Sequence, residues 1–233
     1  MPRAPLTIAP TERPAEAAIV QSRRGYTLSV ASVPPVESVA ALRQAAEACR
    51  GCTLWQRATQ TVFGSGADHG RLMLVGEQPG DQEDRAGEPF VGPAGHLLDR
   101  ALMDAGIDRA EVYVTNAVKH FKWEQRGKRR LHKKPSASEV AACHPWLEAE
   151  IAVVDPKVVV AMGATATASL LGPGARVTRD RGQPIERGPR IVVVTIHPSA
   201  ILRVPEGGDR EGEFRQFAGD LATAARIVSA ASG

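Results

Sequence analysis

A chain of 233 residues, 43% apolar and 24% charged, can bury a core and is expected to form one domain with room for a tail, which excludes collagen-like, coiled-coil and fully disordered classes. No stretch approaches the roughly 18 apolar residues of a membrane span. No secretory cleavage pattern follows Met1, and three cysteines are too few and too odd in number for a disulfide framework, so a cytoplasmic, reducing setting is expected.

The net charge of +3 hides a strong local bias. Between Lys119 and Lys134 there are eight Lys or Arg and one acid, so that window carries +7 and the remainder −4. A polyanionic partner is the first expectation, and a solvated basic loop is the plain alternative.

Residues 1–35 hold six of the seventeen prolines and one aromatic, Tyr26. They read as a disordered extension, with the folded domain over 36–233. Ser38 is placed to cap a helix running through Ala48. Four Val/Ile-rich runs follow, at 72–75, 112–115, 158–162 and 191–196. They are nearly continuous in apolar character, as strands buried on both faces are. Helical patterns lie between and after them, at 94–105, 137–154, 164–171 and 212–228. Alternating strands and helices predict an α/β fold with a parallel sheet covered on both faces.

The polar residues that end these runs are informative. Glu77, Asn116 and His197 each follow a strand, and ligands of open parallel sheets sit outside the strands' carboxyl ends. Each alone is more often a cap or turn residue; three at one edge favour a site. The Gly76–Gly80 turn lacks the spacing of a phosphate loop. A Gly/Pro-rich loop follows it, and Phe90 in that loop either stacks on a flat ligand or plugs the core.

Cys49 and Cys52 form a CxxC, and Cys143 lies far downstream. Three thiolates with His120 or His144 suit zinc or an iron–sulfur cluster; three unliganded buried cysteines are the alternative. In the basic segment, neighbouring cations favour a neutral His132, which is then a base and a nucleophile; a phosphate-contacting or spectator histidine is the other reading. Phe121 and Trp123 interleave with the charge, which suits nucleic-acid contact through phosphate pairing and stacking.

Taken together, four segments resemble the uracil-DNA glycosylase superfamily, in its iron–sulfur family 4 branch. They are Gly76–Gly80, Gly87–Gly95, Val114–Lys119 and His197–Ala200, and the resemblance spans about residues 40–228. Gln78, His120 and the run Lys128-Arg129-Arg130-Leu131-His132 resemble the UdgX group of that branch, which becomes trapped on DNA. Leu131 departs from it, standing where isoleucine is expected.

The resemblance implies a three-layer αβα sandwich around a four-stranded parallel sheet. It implies a [4Fe–4S] cluster on Cys49, Cys52, His120 and Cys143. It makes Phe90 the ring that stacks on a flipped-out uracil and Asn116 the reader of the uracil edge. His197 stabilises negative charge on the base, Glu77 and Gln78 position or activate the attacking group, and His132 is the nucleophile. Gly76, Asp81 and Arg130 fall at the substrate, and Lys128, Arg129 and Ser199 on the DNA. The implied activity is excision of uracil from single-stranded DNA, or from a flipped-out base, by a monomer that stays covalently attached. The alternatives are ordinary multiple turnover with the basic loop only holding DNA, a non-enzymatic damage binder, and a zinc-stabilised nucleic-acid module.

Overall fold

The computed structural model describes residues 31–231 and, upstream, the backbone of β1 (Ile19–Gln21) and β2 (Thr27–Ser29), which pair antiparallel. The rest of the extension expected over 1–35 lies outside the described residues, apart from 31–35. There Ala31 is buried, its N–H donates to the Ala142 carbonyl at 3.0 Å, and Val33 packs on the core. The chain therefore joins the core several residues before Val36.

Helix α1 (Val39–Glu47) starts where the Ser38 side chain accepts from the Ala41 N–H, and it buries Val39, Leu42 and Ala46. A one-turn 3-10 helix (Leu54–Gln56) leads to β3 (Ser65–Gly66) and β4 (Leu72–Gly76). Next come α2 (Asp81–Ala86), α3 (Pro93–Asp104), a 3-10 turn (Arg109–Glu111) and β5 (Val112–Asn116). Strands β6 (Trp123–Arg126) and β7 (Arg129–His132) precede the long α4 (Ala137–Val154). The chain continues through β8 (Val158–Met162), α5 (Ala164–Leu171), α6 (Val177–Asp180), β9 (Pro184–Arg187) and β10 (Arg190–Thr195). It closes with α7 (Pro198–Leu202) and α8 (Arg210–Ala230).

The main sheet runs β3-β5-β4-β8-β10-β9. Its four inner strands are parallel, as expected, with Leu72 opposite both Val112 and Val158. The expected four-stranded sheet is in fact six-stranded, because antiparallel β3 and β9 extend both edges. Neither edge could show an apolar run: β3 is two residues long, and β9 alternates between exposed and half-buried.

Alternation along the inner strands builds the sandwich. Met73, Val75, Val159, Ala161, Val192 and Val194 face one core, shared with α1, α4 and α5. Leu72, Leu74, Val158, Val160 and Val193 face the other, shared with α3, α7 and α8. Each of these Val, Leu and Met side chains contributes about 1.5–3 kcal/mol by leaving water.

Two segments expected as loops are ordered. Helix α2 has only six residues, too few for a visible period. It is held by Asp81, Glu83 and Asp84 at its positive end and stopped by left-handed Gly87. The basic run is a β-hairpin, with Trp123 opposite His132 and a turn through left-handed Gly127. Its charged residues replace the apolar alternation that would have revealed a strand.

Candidate active site

Parallel register sets Gly76 beside Asn116 at one edge of the sheet. The Ala117 N–H donates to the Gly76 carbonyl at 2.9 Å and the Val118 N–H to the Glu77 carbonyl at 3.0 Å, locking the two strand exits together. Gly76 has no side chain, which lets three others close in on its backbone. A Cβ at that position would lie 2.4 Å from Asn116 Oδ1, 2.7 Å from Phe90 Cζ and 3.3 Å from His197 Nε2. These three side chains, from three separate segments, line a cavity of about 810 Å³ together with Glu77 and His132.

Phe90 adopts φ 59°, a left-handed conformation that is costly for an aromatic residue. Gly95 permits it, since a Cβ there would sit 1.6 Å from the Phe90 carbonyl oxygen. The ring is buried yet lines the cavity, stacked against His197 with centroids 6.0 Å apart and planes 26° apart. Asn116 is buried too, and its Oδ1 has no hydrogen-bond partner among the described residues. An unpaired buried acceptor costs about 1–3 kcal/mol, so its presence in a cavity wall calls for a ligand N–H.

His197 caps α7, and its Nδ1 accepts from the Ser199 N–H at 3.2 Å. Arg203 donates to Ser199 Oγ at 3.1 Å, which turns the hydroxyl proton toward Nδ1, 2.9 Å away. Nδ1 thus holds the lone pair, and Nε2–H is the donor on the Gly76 side. Burial first, then the charges of Arg203 and His132, push the imidazole down to about 4. A base with a depressed folded pKa binds fewer protons when folded. Its contribution to stability is complete above about 6.5, the unfolded value, and drains away as pH falls toward about 4. The melting temperature is expected to drop across that window, and less steeply in His197→Asn; calorimetry at several pH values checks this.

Gln78 and Arg130 anchor the hairpin. The Gln78 amide donates to the Lys122 and Lys133 carbonyls at 3.2 and 3.1 Å and accepts from the Lys122 N–H at 3.1 Å. It grips the backbone at both feet of the hairpin, so its amide is a positioning group here. Arg130 pairs with Asp81 at 2.5 Å and with Asp84 at 2.7 Å, which joins β7 to α2. Asp81 and Arg130 hold each other rather than opening on the cavity. Lys128 and Arg129 are exposed at the turn.

His132 ends β7 with its side chain 48% exposed, and its Nε2 lies 3.5 Å from Glu77 Oε1. Its pKa is lowered, first by burial of part of the ring and further by Arg203, while Glu77 opposes the shift. The direction matches expectation but the cause differs: burial leads, and the cation that contributes is Arg203 of the α7 segment, not the hairpin's own charges.

Cys49, Cys52 and Cys143 are free thiols, close enough that Cys49 and Cys52 both raise the Cys143 pKa. Burial, the main cause, takes that thiol to about 12. Each sulfur meets an N–H donor. Trp146 Nε1 reaches Cys49 and the Lys119 N–H reaches Cys143, both at 3.2 Å, and the Leu54 backbone serves Cys52. Thr61 Oγ1 donates to the Ala46 carbonyl, so it accepts from His120 Nε2 at 3.0 Å. That leaves Nδ1 of this buried, neutral ring with the lone pair. His144 lies 3.4 Å from Glu148. Among the described residues no ready-made group of three or more His, Cys, Asp or Glu metal ligands is drawn together. The donor set nonetheless suits a soft metal or an iron–sulfur cluster in kind: sulfurs stabilised by N–H groups, beside an imidazole of fixed tautomer.

Sequence reasoning passed over Thr165, Arg203, Thr61 and the buried pair Lys119–Glu150. Each acts through tertiary contacts, and no spacing along the chain announces them.

Residues 63–222 match the family model described as the Uracil DNA glycosylase superfamily. The chain is 39% identical to the type-4 uracil-DNA glycosylase of Thermotoga maritima, over 72% of this chain and 83% of that protein. It is 34% identical to the type-4 uracil-DNA glycosylase of Sulfurisphaera tokodaii, over 73% and 78%. Similarity to the type-5 uracil-DNA glycosylase of Pyrobaculum aerophilum is 30% over 56% and 62%.

Proposed function

The chain belongs to the uracil DNA glycosylase superfamily, and from that premise we propose that it excises uracil from DNA and is then captured on the abasic sugar by His132. The unpaired Asn116 Oδ1 in the cavity wall carries the first half. Uracil offers N3–H to that oxygen and O4 to the amide N–H. Cytosine reverses both groups, and a buried site built for one pattern rejects the other strongly.

The uracil nucleotide leaves the stack and enters the cavity, with its base against Phe90. As the C1′–N1 bond breaks, its electron pair departs with the base, and His197 Nε2–H donates to the oxygen where charge builds. The Glu77 carboxylate stabilises the cationic sugar. The His132 lone pair then forms a C1′–N bond, and the alkylated ring releases its remaining N–H proton to water. An alkylated imidazole is a poor leaving group, so the protein stays attached. Lys128 and Arg129 contact phosphates, which makes binding fall steeply with salt.

Cys49, Cys52, His120 and Cys143 would hold a [4Fe–4S] cluster, which supplies a rigid anchor among the 49–52 loop, the β5 exit and α4. Among the described residues no helix is long and apolar enough to cross a membrane.

On a denaturing gel, protein mixed with a uracil-containing single-stranded oligonucleotide is expected to give a band that survives boiling, absent with thymine. His132→Ser is expected to lose that band and still release uracil. Because the His132 pKa is lowered, capture should persist as pH falls below the usual imidazole range and fail only in more acidic buffer. The second reading is multiple turnover, favoured by Lys128 and Arg129, which would serve a phosphate clamp without any chemistry at His132. It predicts no band, and alkali cleavage of the oligonucleotide at uracil.

A further inference from the structure

Thr165 is a buried hydroxyl, 6% exposed, at the start of α5. Later hydroxyls of this helix bond back to carbonyls four residues earlier: Thr167 to Gly163 and Ser169 to Thr165, both at 2.9 Å. Thr165 sits in the first turn, where no such helical carbonyl precedes it. Its Oγ1 donates to Glu77 Oε2 instead. The other carboxylate oxygen, Oε1, faces His132 Nε2 at 3.5 Å. Glu77 is thereby strung between a helix of the sandwich and the hairpin, and it makes no other side-chain hydrogen bond among the described residues. A β-branched residue in a helix has few rotamers, so this hydroxyl is held in place. The carboxylate, 22% exposed, would without it be able to turn toward solvent.

We propose that Thr165 is a positioning residue which, by holding one oxygen of Glu77, keeps the other against His132 and so directs the cationic sugar to imidazole rather than to water. This rests on the capture reading. The bond changes are those of capture: C1′–N1 breaks with its pair on uracil, the His132 lone pair forms C1′–N, and the ring N–H proton goes to water. A carboxylate fixed beside the ring stabilises the imidazolium as it forms. A carboxylate free to rotate accepts a proton from water equally well, and water then takes the sugar.

The test is Thr165→Val, of nearly the same shape, with Thr165→Ser as the conservative control and melting curves to confirm folding. The ratio of covalent adduct to free abasic product is expected to fall at least about tenfold in the valine variant, since one oriented group is typically worth 10²–10⁴-fold, and to return with serine. A second readout is the His132 ring titration by NMR. The charged and titratable groups that act on that ring are Glu77, Arg203 and His197, and Glu83 and Lys134 line the same cavity; of these, Thr165 holds Glu77. Thr165→Val should therefore titrate lower than wild type, as Glu77→Gln does, while Thr165→Ser matches wild type. An unchanged adduct ratio with an unchanged titration overturns the proposal. If the wild-type protein releases uracil without any adduct, capture is wrong, and a lowered titration in Thr165→Val still sustains the positioning of Glu77.

Discussion

Replacing Asn116 with leucine is expected to slow uracil release by about 10²–10³-fold, the usual cost of losing one preorganised polar group at a reacting centre, and to raise the melting temperature at the same time. The two effects share one atom. Asn116 Oδ1 is buried with no partner among the described residues, and an unpaired buried acceptor costs the folded protein about 1–3 kcal/mol. Leucine is close in size and has no acceptor to strand. For a chain of this length each kcal/mol moves the melting temperature by about 2–4 °C, so calorimetry resolves the gain. Single-turnover release of uracil, followed by chromatography, resolves the loss. Wild-type excision by the variant would remove Asn116 from base recognition. A lower melting temperature would mean that the side-chain carbonyl has a protein partner in solution, and its place in the cavity wall would lose its meaning as a socket for a base.

The opposed signs follow from where the polar groups stand, and that placement was partly legible in the sequence. Strand β8 and helices α4 and α5 have the bounds the apolar pattern predicts, because the strand is buried throughout and each helix buries a regular set of side chains against the sheet. Glu77, Asn116 and His197 were readable as neighbours because parallel strands fix which ends meet. Gly76 could be noticed but not understood, since its role is the absence of a Cβ among three side chains from distant segments. Helix α2 was hidden by its length, and the hairpin by its charge. Gln78 reads as a site residue from its position beside Glu77, yet its amide is spent on backbone that becomes adjacent only when the hairpin docks. Thr165 and Arg203 are ordinary helix and helix-end residues until tertiary contact sets one on Glu77 and the other on Ser199.

The same logic gives Lys119→Met a large cost at a position that never touches the cavity. Lys119 is 1% exposed, and its Nζ donates to Thr115 Oγ1 and to the Asn116 carbonyl, each at 2.7 Å, and to Glu150. Glu150 is fully buried and also accepts from the Gly64 N–H at 3.0 Å and the Tyr113 hydroxyl at 2.9 Å. Burial and the Glu150 charge hold that hydroxyl protonated well above the usual phenol range, so it stays a donor. Removing the ammonium strands a buried carboxylate, which typically costs about 3–5 kcal/mol, or a fall of roughly 10 °C in melting temperature for a chain of this length. Lys119→Met with Glu150→Gln removes both charges, leaves an acceptor for Gly64 and Tyr113, and is expected to recover most of that loss. Neither variant restores the bond to the Asn116 carbonyl, so uracil release should remain slow in both. A double variant as unstable as the single one would show that packing at Lys119, not the stranded charge, sets the cost. A double variant that excises at the wild-type rate would show that the β5 exit holds Asn116 without the ammonium, through the bonds from Ala117 and Val118 to the β4 end alone.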